Sequence, residues 1–182
     1  EVLVEGEGGY RTAKDFMRMI MPSHARLVKR YDEAMPLFAR FQVESYLGGM
    51  FNPVVQLKSG GYIVINQTEA LVSIDINSGR STKEYGIEAT ALNTNLEAAH
   101  EIARQLRLRN LGGIIIVDFI DMENEEHKTA VLDEFNKALA RDHTRLTVNG
   151  FTQLGLVEMT RKRTRESLAH VLCEPCTTCG GR

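Results

Sequence analysis

Two apolar runs in this 182-residue chain end in carboxylates. Ala70-Leu-Val-Ser-Ile-Asp-Ile-Asn77 carries Asp75 and Asn77, and Leu111-Gly-Gly-Ile-Ile-Ile-Val-Asp-Phe-Ile-Asp121 carries Asp118 and Asp121. If both runs are strands ending at one sheet edge, Asp75 and Asp118 meet there. Carboxylates so placed suit a hard divalent cation such as magnesium, which keeps several waters and takes few protein ligands. A metal held this way activates water and stabilises charge on a phosphodiester. Strand alternation puts Ser73, Asp75 and Asn77 on one face and Val72, Ile74 and Ile76 on the other, so Asp75 and Asn77 point the same way. One such strand alone is better explained by a solvated polar face. The second Asp-tipped run moves the balance toward a site. Asp121 fits three roles: an outer group around the metal, a helix N-cap, or an exposed residue.

The tail reads His170-Val-Leu-Cys173-Glu-Pro-Cys176-Thr-Thr-Cys179-Gly-Gly. One CxxC is half of a zinc site, because thiolate-bound zinc takes four ligands. His170, Cys173, Cys176 and Cys179 of one chain would need an awkward wrap. A later segment could supply the second pair, or two copies could each donate Cys176 and Cys179, making zinc a dimer clasp. An unliganded tail is the plain alternative. Arg161, Lys162, Arg163 and Arg165 form the densest basic run, Arg104, Arg107 and Arg109 lie on a predicted helix, and Arg145 opens a predicted strand. Against a formal net charge of -2, such clustering suggests contact with an anionic backbone, although a solvated face commonly explains one cluster. The remaining histidines are scattered, and no nucleophile elbow or phosphate-cradling glycine loop is present.

The elements that must position these groups follow from periodicity. Strand, helix and strand from Ala70 to Asp118 have the length of a βαβ unit, whose parallel strands and right-handed crossover bring both C-terminal ends to one edge. Open α/β sheets bind ligands at that edge. The crossover is predicted over Ala89 to Arg109, with Leu92, Leu96, Ala99, Ile102, Ala103 and Leu106 as its apolar stripe. Ile114 to Val117 reads as a strand covered on both faces. Further strands are predicted over Val54 to Leu57, Gly61 to Asn66, Arg145 to Val148 and Gly155 to Met159, with a second amphipathic helix over Glu125 to Arg141 and a short one over Thr164 to Val171. Upstream, a strand at Val2 to Val4, helices over Thr12 to Met21 and Pro36 to Met50, and a connection from Met21 to Pro36 are expected. The polar stretch Ser78 to Glu88, directly after the Asp-bearing strand, is a candidate substrate loop.

Hydrophobic residues make up 43% and charged residues 25% of the chain, the composition of a globular domain with a real core. No apolar run is long enough to cross a bilayer, and no export signal opens the chain. With three crowded cysteines, that favours a reduced, cytoplasmic setting and a metal over a disulfide. A start at Glu1 and a stop beside a Cys/Gly cluster are expected of a piece of a longer protein.

Gly60-Gly-Tyr-Ile-Val-Ile-Asn-Gln-Thr-Glu-Ala70, Ser73-Ile-Asp-Ile-Asn-Ser78, Asn93-Thr-Asn-Leu-Glu-Ala98, Ile102-Ala-Arg-Gln-Leu-Arg-Leu-Arg109, Gly112 to Met122, Gly155-Leu-Val-Glu-Met159 and the closing CxxC resemble the catalytic core of the ribonuclease E/G family. The resemblance is dense and in order from Pro36 to Arg182, and looser before. It implies an α/β fold with a mixed sheet flanked by helices: a partial RNase H-like segment at 1–50, a DNase I-like catalytic subdomain at 51–172 and a zinc-link at 173–182. It implies an endoribonuclease that cuts single-stranded RNA with a magnesium-activated water and leaves 5′-monophosphates, in RNA processing and decay. By position, Asp75 and Asp118 would be magnesium ligands, Asn77 would support them, and Arg145 would sit near the scissile phosphate. Arg161, Lys162 and Arg163 would bind substrate. Cys176 and Cys179 would share zinc between subunits of a homodimer or tetramer. Asn66 replaces a frequent Asp, and Cys173 is an extra thiol resembling the ribonuclease G branch. The family's S1 RNA-binding domain and 5′-end sensor lie outside this chain, so an assembly module silent without them is the alternative.

Overall fold

A computed structural model describes residues 1–79 and 86–179. The chain divides into two compact units, Glu1–Gly49 and Met50–Arg182. In the first, β1 (Val2–Glu5) pairs in parallel with β2 (Val28–Tyr31), joined by α1 (Glu7–Ile20) and a 3-10 turn over Pro22–Leu27; α2 (Leu37–Arg40) and α3 (Val43–Gly49) follow. Three expectations change here. The helix begins at Glu7, because Gly6 at φ 84 turns the chain straight out of β1. The expected connection contains β2, whose Val28 and Tyr31 are buried but whose four residues are too few to show a period. The expected helix from Pro36 breaks in two at Gln42, which holds a left-handed φ of 54.

The second unit is built on β3 (Val54–Gln56), β4 (Tyr62–Gln67), β5 (Leu71–Asn77), α4 (Ile87–Leu108), β6 (Gly113–Asp118), α5 (Glu125–Leu139), β7 (Leu146–Phe151), β8 (Leu156–Arg161) and α6 (Leu168–Leu172). The six strands run in the order β3-β4-β5-β6-β8-β7. β5 and β6 are parallel and the other pairings antiparallel, so the fold is α/β with a mixed sheet. α4 is the predicted crossover between the two Asp-bearing strands.

Period-2 burial runs across the sheet. Ile63 and Ile65, Val72, Ile74 and Ile76, Ile115 and Val117, and Val157 and Met159 share the covered face, against Ala99, Ile102 and Leu106 of α4 and Val131 and Phe135 of α5. Each fully buried large side chain contributes about 1.5–3 kcal/mol. Phe119 closes this core edge-on to Phe135 at 5.9 Å.

The opposite face is left open by the described residues of this unit. It carries Tyr62 and Val64, Ser73, Asp75 and Asn77, Ile114, Ile116 and Asp118, and Leu156, Glu158 and Thr160. Ile114 is 51% exposed, so the expectation that β6 is covered on both faces fails. A run without polar residues looks alike whether its second face meets a helix or stays open.

Tight turns fix the top of β5. Gly79, at φ +58, lies so close to β4 that a Cβ there would stand 2.3 Å from the carbonyl oxygen of Gly60. A Cβ on Gly61 would stand 2.8 Å from that of Asn77. Glycine alone allows this approach, which pins the strand end carrying Asp75 and Asn77. The substrate loop expected after it falls largely on residues 80–85, outside the described residues.

Candidate active site on the open face

Asp75 and Asp118 are register partners in the parallel β5–β6 ladder. Adjacent strands lie about 4.7–4.9 Å apart, so two side chains on the same face at one register can serve one ion. Both residues are exposed, on the open face rather than merely at its edge. Asn77 donates from Nδ2 to Oδ2 of Asp75 at 2.8 Å and so fixes that carboxylate. Burial, then the negative charges of Asp75 and Asp121, hold the Asp118 carboxyl above its ordinary range. Among the described residues no ion pair involves any of these three acids. Among the described residues the site is a concentration of negative charge without an ion pair to a cationic side chain.

Asp121 is thereby brought close enough to affect Asp118, and its Oδ1 lies 3.7 Å from where a Cβ on Gly155 would be. It is not the N-cap of α5. Asn124 holds that position and accepts from the Glu126 amide at 2.8 Å. No group of three or more His, Cys, Asp or Glu is arranged to hold a metal among the described residues. Two in-register carboxylates still fit magnesium, which commonly takes one or two and fills its octahedron with water and phosphate oxygens.

Two residues that sequence reasoning missed hold the loop after β6. Asn95, on α4 and fully buried, donates to the carbonyl of Ile120 at 2.8 Å and accepts from its amide at 3.0 Å. Glu88 accepts from the amides of Glu123 and Asn124, each at 3.2 Å, and bonds His127 Nδ1 at 2.8 Å. The histidine first, then those amides, hold its carboxyl below the ordinary range. Asn95 interrupts the α4 stripe between Leu92 and Ala99, and that interruption was the available signal. Glu88 offered none, since its partners are over 30 positions away.

The basic residues lie elsewhere. Leu146 pairs with Arg161, which pairs with Gly113 at the start of β6. The Lys162 amide donates to the Arg145 carbonyl at 2.9 Å. Asp118 ends β6 five residues beyond Gly113, or roughly 17 Å at the usual rise. Within this chain the backbone of Arg145 therefore lies at the far end of the strands from the carboxylates. Lys162 and Arg163 are exposed at that same far end.

Arg161 is 5% exposed and corrects the expectation of a substrate contact. Its guanidinium donates to Asp142 Oδ2 at 2.7 Å, Thr144 Oγ1 at 3.1 Å, the Leu111 carbonyl at 2.8 Å and Asn110 Oδ1 at 3.2 Å. It ties β8 to the loops after α4 and α5 and has nothing left for RNA.

In the tail Cys176 and Cys179 are exposed and Cys173 partly buried. Backbone amides of Cys179 and Thr178 and the Cys179 thiol donate to Cys176 sulfur and hold its thiol below the ordinary range. Stabilised thiolate on a CxxC turn is donor chemistry that suits zinc. His170, Cys173, Cys176 and Cys179 are not gathered around one point among the described residues, so the single-chain ligand set is not formed.

Comparison with known proteins shows the family of this chain. The profile described as "Ribonuclease E/G family" matches residues 1–164. Ribonuclease G of Escherichia coli (strain K12) is 48% identical over 181 residues, covering 100% of this chain and 37% of that protein. Ribonuclease G of Haemophilus influenzae is 48% identical over 182 residues with the same coverages. Ribonuclease E of Haemophilus influenzae is 44% identical over 183 residues, covering 99% of this chain and 20% of that protein. The chain thus spans little more than a third of the ribonuclease G proteins it matches. A match over nearly its whole length, together with relatives at close to half identity, establishes that this chain belongs to the ribonuclease E/G family.

Proposed function

We propose that this chain carries the catalytic carboxylates of an endoribonuclease that hydrolyses single-stranded RNA and leaves 5′-monophosphate ends. The observation that carries the proposal is the Asp75–Asp118 register pair on a bare sheet face. Asp75 and Asp118 would hold magnesium, which when bound supplies an acidified water and charge stabilisation at the phosphate. Asn77 keeps the Asp75 carboxylate in one orientation. The open face, several strands wide, suits an extended strand better than a small substrate. Lys162 and Arg163, both exposed, would contact backbone phosphates well away from the cleaved bond. No helix among the described residues is long and apolar enough to cross a membrane.

The test is cleavage of a labelled single-stranded RNA by this chain and by the full-length protein. Magnesium should support cutting in both and EDTA should stop it. The downstream product should be a substrate for a 5′-monophosphate-dependent exonuclease. Metal-independent cutting, or 5′-hydroxyl products, would remove the metal-water reading.

A second reading rests on the exposed CxxC pair, Cys176 and Cys179, with backbone amides that lower the Cys176 thiol below its ordinary range. Cys176 and Cys179 would hold zinc jointly with the same pair of a second copy, giving a homodimer or a tetramer of two such dimers. If zinc is the clasp, chelation lowers the mass seen by light scattering to that of a smaller assembly, and Cys176→Ser does so without chelator. An unchanged mass in both would leave the tail unliganded. If dimerisation persists while the isolated chain fails to cut RNA that the full-length protein cuts, this region is chiefly an assembly module.

A further inference from the structure

At the end of the sheet remote from Asp118, the C-terminus of α4 and the short tail helix α6 border a cavity of about 620 Å³. Its apolar lining includes Phe51, Ile65 and Leu168, and its charged lining is Arg109, Arg163 and Glu69. The volume lies within the range of small-molecule sites, about 300–1,000 Å³.

Arg109 is more than nine-tenths buried, with 8% exposure. Its Nε donates to Gln105 Oε1 at 2.7 Å. Gln105 is oriented in turn by its own donation to Glu101 at 2.7 Å. Glu101 is the nearest acid in this chain of contacts, and Arg104 already grips both of its oxygens, at 2.9 and 2.8 Å. The terminal amino groups of Arg109 donate to no protein acceptor among the described residues. A guanidinium stays charged at every physiological pH. No buried side-chain nitrogen lacks a partner among the described residues, so these amino groups open onto the cavity, where an anion can replace water at a fixed positive charge. Arg109 also does not supply the fold's internal tie at this end, since Arg161 does that with its own partner Asp142.

We propose that this cavity binds the phosphate of a nucleotide, with the Arg109 fork on the phosphate and the nucleoside against Phe51 and Leu168. Arg pairs with phosphate through two parallel N–H···O bonds. Arg163, whose Nη2 donates to the Gly112 carbonyl at 3.2 Å, adds a second positive charge. The apolar wall argues for a ligand with an aromatic or sugar body rather than a bare ion. The phosphate could belong to a free nucleotide or to a residue of an RNA strand that continues toward the carboxylates. Only the second source rests on the ribonuclease reading above.

Calorimetric titration of the chain in EDTA tests this with two probes, 5′-AMP and a ten-nucleotide single-stranded RNA. Arg109→Gln should weaken binding at least about tenfold, the scale of a charge-assisted bidentate contact. Glu69→Gln removes an exposed acid that faces the same cavity and should tighten binding several-fold. His170→Glu, on the exposed rim, should weaken it. Glu69 and His170 are surface positions, so these two variants decide the matter even if Arg109→Gln unfolds. Arg109-dependent AMP binding identifies a free nucleotide. Arg109-dependent binding of the oligonucleotide alone, with a salt slope reduced by about one, identifies a strand phosphate. If neither probe distinguishes the variants from the parent, the proposal is overturned. Asp75→Asn should leave AMP binding intact, which separates this site from the carboxylate site.

Discussion

Asp118→Asn is expected to lower RNA cleavage by about 10²–10³-fold or more, and at the same time to raise the unfolding temperature of the metal-free chain. The first effect follows if the carboxylates place charge where it develops during reaction, since losing one such stabilising group costs about that factor. The second follows from the electrostatics. Burial and the neighbouring charges of Asp75 and Asp121 hold the Asp118 carboxyl above its unfolded value. The folded state then binds more protons than the unfolded one, and the stability associated with this group falls as pH rises through that interval. At neutral pH the ionised carboxylate therefore opposes folding. Asparagine keeps the shape and removes the charge. Asp75→Asn should lose activity similarly, with a further effect on Asn77, whose amide donor would meet a neutral acceptor. Single-turnover cleavage with magnesium and thermal unfolding in EDTA measure the two effects. Parental cleavage by Asp118→Asn would sink the catalytic assignment, and a lower unfolding temperature would mean that the carboxylate is structural.

The largest effect on stability is expected at Arg161. Arg161→Met should destabilise the chain by about 3–5 kcal/mol, the range for breaking one side of a buried ion pair, because Asp142 would remain buried without its partner. Their side chains are each 4% exposed. Although burial opposes ionisation of Asp142, bonds from Arg161 and Thr144 bring its carboxyl down from 3.8 to about 2. Since the folded value is depressed, the stabilisation is fully present above the unfolded value near 3.9. It fades as pH falls from about 4 toward 2. Urea unfolding at pH 7 would show the loss in the variant, and across that acidic window the parent should lose the pair's stabilisation while the variant does not. A double change, Arg161→Met with Asp142→Leu, should recover much of the loss. A loss below 1 kcal/mol for the single change would mean that Arg161 is not the tie described.

The βαβ unit was legible because its signals are local. Val72, Ile74 and Ile76 alternate with polar partners, the α4 stripe recurs at helical steps, and parallel pairing follows from the crossover. That logic brought Asp75 opposite Asp118 without a structure. The reading of Arg161 failed for an instructive reason. As part of Arg-Lys-Arg it reads as a basic patch, but as a member of β8 it continues the period-2 series Val157, Met159, Arg161 on the covered face. Charge composition was given precedence over periodicity, and periodicity was the better guide. The place of Arg145 was not legible for another reason: a position taken from a resemblance carries no register, and the antiparallel β7–β8 hairpin puts that residue at the end of the strands remote from Asp118. β2 was too short to announce itself, and the bareness of one sheet face depends on what does not pack there, which no local pattern encodes.

Asn95 has a consequence for how the two carboxylates keep their spacing. A side-chain amide offers one N–H and one carbonyl, as a peptide unit does, and Asn95 uses both on Ile120. It thus stands in for a strand that is not there, two residues beyond Asp118. The helix that links the two carboxylate strands in sequence is also bolted across to the exit of the second one. Sliding α4 along its axis would drag Asp118 while Asp75, anchored by the glycine turn at its own exit, stayed put. The gap between the two acids is therefore set like the jaw of a clamp, by how deeply one helix is seated in the core.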